Sequence, residues 1–183
     1  AYQAQVCVRN ALFKRLAWQK VSYQNISWAT FTDPELAHLG LTEEETKYRY
    51  KDVNPVRKFI CTILCKLNLM DENFLSNGVK IYKTDYANSD RAITDSEKKG
   101  LVKIITDTKG NVLGAHIAGA HASEIIQGFL IAKSLRIPLS KLSGSLFIYP
   151  TLSELIRKTA AKPLLEKMNN PIIKFVMNIM RKI

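Results

Sequence analysis

Leu101-Val102-Lys103-Ile104-Ile105-Thr106, Asp107-Thr108-Lys109-Gly110-Asn111 and Val112-Leu113-Gly114-Ala115-His116-Ile117 follow one another without a break, and their reading decides the fold. Two runs rich in β-branched residues flank a loop of turn-forming residues with a Gly available for positive φ, which is the pattern of a β-hairpin. Upstream, Val79 to Thr84 alternates apolar and polar residues as a half-buried strand does. Ile26 to Thr32 is aromatic and β-branched and stops at Asp33-Pro34, where Asp can cap and Pro can occupy a first helical position. A strand followed by a short helical turn is expected there. Downstream, His121 to Leu135 carries Ile125, Ile126, Phe129, Leu130 and Leu135 at helical spacing, with Pro138 just beyond.

The remaining helix signals lie around this frame. Ala1 to about Trp18 has Val6, Val8, Leu12, Phe13 and Leu16 at helical spacing. Thr42 with Glu45 forms a capping-box pattern, and Thr151 with Glu154 forms another. Asn54-Pro55 opens a helix striped by Val56, Phe59, Ile60, Ile63, Leu64 and Leu67, and Asn170-Pro171 opens the last one. Strands in adjacent runs with helices between and after them indicate an α+β domain, an antiparallel sheet covered by helices on one face. The helix over His121 to Leu135 is apolar on more than one face, so a second surface beyond the sheet is expected to cover it.

The chain has 183 residues, enough for one domain with a sizeable core. No run of eighteen apolar residues occurs, which excludes a single spanning helix of ordinary length. The formal charge of +11 raises a nucleic-acid reading, but Lys and Arg are spread along the chain and Glu43-Glu44-Glu45 interrupts them, so no nucleic acid is expected. Cys7, Cys61 and Cys65 are odd in number and follow no secretory signal, which points to reduced thiols in a cytoplasmic setting. Cys61 and Cys65 share a helical face without a second ligand cluster and read as packed apolar residues. His116, His121 and Glu124 invite a metal reading, but a strand residue and a helix start need not converge, and no metal site is expected. The chain opens at Ala1 in what reads as helix interior, so a larger parent protein is expected.

Five blocks in order resemble one family. Trp28-Ala29-Thr30-Phe31-Thr32-Asp33-Pro34-Glu35-Leu36-Ala37-His38-Leu39-Gly40-Leu41-Thr42-Glu43 looks like the opening of the dimerisation domain in FAD-dependent pyridine nucleotide-disulfide oxidoreductases such as dihydrolipoamide dehydrogenase, glutathione reductase and mercuric reductase. Asn88-Ser89-Asp90-Arg91-Ala92, the hairpin from Gly100 to Gly119, Ala122-Ser123-Glu124-Ile125-Ile126, and Tyr149-Pro150-Thr151-Leu152-Ser153-Glu154 follow in family order. The last block is similar to the family's His-Pro-Thr-x-x-Glu, with Tyr149 where the family has its active-site His. Mercuric reductase also carries Tyr there, so the likeness is to a mercuric-reductase-like branch.

The resemblance implies residues 1–26 as the end of an FAD-domain helix and linker and 27–160 as the dimerisation domain; the extra helix near 55–67 departs from the family pattern, and 161–183, which the resemblance does not explain, reads from its own residues as a basic amphipathic tail. It implies a homodimer in which each subunit supplies Tyr149 and Glu154 to the other's active site, with the Tyr149 and Pro150 main chain toward the partner's flavin. FAD and NAD(P)H belong to the full-length parent. The Gly-x-Gly-x-x-Gly loop and the Cys-x-x-x-x-Cys pair are absent from these residues, so the fragment alone is expected to bind neither cofactor and to be non-catalytic. The alternative is a free-standing binding module of the same fold. The tail sets Ile172, Ile179 and Ile183 against Lys174, Arg181 and Lys182, a pattern open to packing on the domain or to peripheral membrane contact.

Overall fold

The computed structural model describes residues 2–23, 25–50, 78–171, 173 and 174. The expected helix near 55–67, with Cys61 and Cys65, lies outside the described residues, as does the end of the tail from residue 175. Five antiparallel strands form one sheet in the order β1-β2-β5-β4-β3: β1 Ser27–Thr30, β2 Leu36–Gly40, β3 Val79–Asp85, β4 Leu101–Asp107 and β5 Val112–Ala118. Helices α4 (Ala122–Ser134) and α5 (Glu154–Met168) pack on the sheet, α4 over β5, β2 and β1 and α5 over β3 and β4. This is the α+β architecture expected. No helix among the described residues is long and apolar enough to cross a membrane.

The hairpin sits at the centre as its sequence predicts. Val102 and Ile104 alternate onto the helix-covered face and are fully buried, opposite Ile117 and Ala115. The register shifts after Ile105 because Leu113 has no partner, and this single bulged residue brings Val112 and Ala115, three apart, into one core. The Asp107 side chain closes the turn by accepting from the Lys109 and Asn111 amides at 2.8 and 2.9 Å, while Gly110 takes φ +87. Tyr86, Phe129, Leu139 and Leu155 fill the space between sheet and helices.

Two sequence expectations change. No helical turn follows Asp33-Pro34; β2 runs there instead, paired with β1 on one side and β5 on the other. Its five residues alternate buried Ala37 and Leu39 with outward His38, and pairing on both edges satisfies the backbone more completely than one helical turn could. The capping box at Thr42 and Glu45 forms, with Thr42 N donating to Glu45 Oε2 at 2.8 Å and Glu45 N to Thr42 Oγ1 at 3.2 Å, and starts α2 (Glu43–Arg49). The one at Thr151 and Glu154 does not: Thr151 Oγ1 donates to the Ile148 carbonyl at 2.7 Å, and Ser153, the residue before α5, is already helical. A hydroxyl committed to the preceding turn, on a residue outside the cap position, cannot cap.

The helix α5 continues through a buried Pro163 to Met168. Glu166 ties this extension to β3, accepting from Lys80 Nζ at 2.6 Å and from the Tyr82 hydroxyl at 2.9 Å. Beyond α5, Lys174 N donates to the Asn170 carbonyl at 3.0 Å. At the other end, α1 (Tyr2–Phe13) buries Val6 but leaves Val8, Leu12 and Phe13 exposed.

Candidate functional site

The residues singled out by sequence lie where the chain enters α5. A 3-10 segment, Leu139–Gly144, is anchored by the fully buried Leu139 and leads to an irregular stretch over 145–153. In it Leu146 is completely exposed, Ile148 is 80% exposed and Tyr149 66% exposed, and Pro150 is exposed beside them. The Tyr149–Pro150 peptide is cis. A run of large apolar side chains held off the core is a surface that another molecule is suited to cover.

Glu154 has the opposite environment. It is 6% exposed at the first turn of α5, where Arg157 Nη2 donates to Oε1 at 2.5 Å and Lys158 Nζ lies 3.6 Å from Oε2. The Oε2 contact is an ion pair without a hydrogen bond. Lys158 also donates to the Asn88 carbonyl at 2.5 Å, which docks the turn before α3 (Asp90–Thr94) against α5. The Asp90 carboxylate holds the Tyr149 phenol above its ordinary value, with a lesser contribution from Glu154. Among the described residues no hydrogen bond joins Tyr149 to Glu154, whose carboxylate is taken by Arg157 and Lys158.

Tyr149 and Pro150 are both exposed. Of the residues weighed as ligands, His116 projects from β5 with Nε2 3.0 Å from the Leu41 carbonyl and Nδ1 3.2 Å from His38 Nδ1. His121 precedes α4 in a left-handed conformation, and Glu124 is exposed. Among the described residues no group of three His, Cys, Asp or Glu side chains is placed to hold a metal. Two arrangements escaped the sequence reading. Asp90 read as part of a turn, and its influence on a phenol 59 residues away leaves no local signal. His38 gained its role once β2 existed, stacked on Trp28 with ring centroids 4.9 Å apart and paired across strands with His116.

Residues 67–160 match the pyridine nucleotide-disulphide oxidoreductase dimerisation domain. The chain belongs to that family. It is 33% identical over 130 residues to a dihydrolipoyl dehydrogenase of Rhizobium etli, covering 70% of this chain and 22% of that protein. It is 29% identical over 133 residues to a glutathione reductase of Burkholderia cepacia, covering 72% of this chain and 24% of that one. Among solved structures, the Cu(II) complex of the HOCl-induced flavoprotein disulfide reductase of Escherichia coli superposes with a TM-score of 0.64 at 19% identity, over 86% of this chain and 30% of that one. LpdA from Mycobacterium tuberculosis gives 0.63 at 20% identity, over 88% and 29%. These two likenesses establish the fold. The chain spans about a quarter of the length of the curated relatives it matches.

Proposed function

We propose that this chain pairs with a second copy of itself and presents Tyr149 to Glu154 to the partner's active site in a flavin- and NAD(P)H-dependent oxidoreductase of the mercuric-reductase-like kind. One observation carries the reading: Leu146, Ile148, Tyr149 and Pro150 stand exposed in a row beside a buried, ion-paired Glu154. An apolar rim with a polar tip suits a protein surface that completes a site rather than enclosing one. Two copies meeting through such a rim would each bring a Tyr149 hydroxyl toward chemistry held by the other. When bound in the parent, the flavin and NAD(P)H supply hydride and electron transfer. This chain's residues orient and exclude water. The Tyr149–Pro150 main chain faces the flavin edge, Tyr149 contacts the substrate group, and Glu154 holds the start of α5 through Arg157.

Tyr149 is not a proton shuttle here. A phenol raised above its ordinary value of about 10 stays protonated at neutral pH, where a His near about 6.5 would cycle. The experiment is Tyr149→Phe in the full-length enzyme, read by turnover, sedimentation and melting temperature. Turnover is expected to fall with dimer and melting temperature unchanged; unaltered turnover would leave Tyr149 a packing residue. The isolated chain is expected to purify without FAD, and a yellow preparation would overturn the assignment of the flavin to another domain. The parent is expected in the cytoplasm, which cell fractionation tests.

A further inference from the structure

We propose that His38 and His116 form a proton-operated latch on the sheet face away from the helices, holding the edge strand β1 while the pair carries at most one extra proton and releasing it when a second arrives. The inference is independent of whether two copies pair. The two residues stand opposite each other on β2 and β5, with His38 Nδ1 3.2 Å from His116 Nδ1 and His116 Nε2 3.0 Å from the Leu41 carbonyl. A carbonyl only accepts, so Nε2 of His116 carries its proton; the neutral ring then has a bare Nδ1, and the proton between the rings belongs to His38 Nδ1. Three of the pair's four nitrogens are thereby committed.

The fourth is His38 Nε2. A proton added there breaks neither bond, and the resulting imidazolium lies stacked on Trp28, ring centroids 4.9 Å apart, within the range at which an indole face attracts a cation. A proton added at His116 Nδ1 has no such outlet: two N–H groups then face each other across 3.2 Å, and Lys103, paired with His116 on the other side, stands beside them as a further cation. The charged groups around the pair are Lys103 from β4 and Glu43 and Glu45 from α2. Both carboxylates already serve other donors, Glu43 holding Lys47 and Lys103 and Glu45 holding the Thr42 cap. Burial is the largest influence on His116 and lowers its value; the Leu41 carbonyl opposes it, the charges of His38 and Lys103 add to it, and Glu45 opposes it. The strand held by the latch is short and has one neighbour. Among the described strands β1 pairs with β2 alone, and Trp28 stands opposite His38. With His38 driven off His116 the stack on Trp28 is lost too, and β1 keeps only its ladder. The chain before residue 27 enters the sheet through β1, so the protonation of the pair sets how firmly that entry is held.

The test is amide hydrogen exchange of the chain on either side of the ordinary histidine value of about 6.5, corrected for the intrinsic pH dependence of exchange. Opening of Ser27–Thr30 is expected to rise roughly three- to tenfold in acid relative to β3 and β4, the range that loss of one hydrogen bond gives. In His38→Phe, which keeps a ring against Trp28 and cannot hold the proton, that rise is expected to vanish. A rise in β1 no larger than in β3 and β4, or one that persists in His38→Phe, overturns the proposal. If His38→Phe does not fold, His38→Gln carries the same expectation. Nitrogen-15 spectra of the histidine-labelled chain give a second measurement: His116 is expected as the Nε2–H tautomer at neutral pH, and an Nδ1–H tautomer overturns the proposal.

Discussion

The hairpin with its two helices and the loop over 145–153 are built from similar apolar residues and end in opposite states. Val102, Ile104, Ile117, Phe129 and Leu155 are each at or near complete burial, whereas Leu146, Ile148 and Tyr149 face outward. The difference is backbone pairing. In the hairpin β4 and β5 each pair with a strand on either side, so alternation, reset once by the bulge at Leu113, sends side chains into the core. The loop has no ladder, and it is held at its ends by Leu139 and Leu155. Its apolar residues are free of the core's packing demands and available to a partner. Hydrophobic content by itself therefore says little about burial in this chain; the element that carries the residue decides.

Four measurements can break or sharpen that contrast. Phe129→Ala removes a fully buried ring from α4 and is expected to cost about 3–5 kcal/mol in urea unfolding. Gly114→Ala comes next, since a Cβ there would stand 1.9 Å from the Leu41 carbonyl oxygen, and overpacking of this kind costs about 1–3 kcal/mol. On the sheet face away from the helices, burial holds His116 below its ordinary value, so the unfolded chain binds the proton more readily. The stability due to neutral His116 is then full above the unfolded value of about 6.5 and is lost as pH falls from there toward the lower folded value. Urea midpoints taken on either side of that value should fall on acidification in the wild type and fall less in His116→Gln. The smallest effect on stability belongs to the loop: Leu146→Ser is expected to change unfolding by no more than about 0.5 kcal/mol. It should instead shift sedimentation toward the single chain. A loss of stability comparable to Phe129→Ala would show that the loop packs on its own domain.

The chain's local signals were strongest where periodicity is long and turn chemistry is specific. The 101–117 hairpin, the helix over Ala122–Ser134 and the Thr42–Glu45 capping box are each written in residues close together in sequence. Five motifs in order carried the family likeness, which the match over 67–160 bears out. The short strand β2 was not legible, because five residues after a proline carry too little pattern and its two ladders come from elsewhere in the chain. Thr151 and Glu154 had the right spacing for a cap and the wrong backbone.

Sequence by itself determined the α+β class, the central hairpin and the position of Tyr149 and Glu154 at the entry to a helix, since each depends on neighbours within one element. Tertiary structure decided that β2 is a strand, that His38 meets His116, and that Glu154 turns to Arg157 and Lys158. Contacts such as the one between His38 and His116 form when the sheet and its helices close on one another, and side chains then choose among partners by distance and burial rather than by place in the sequence.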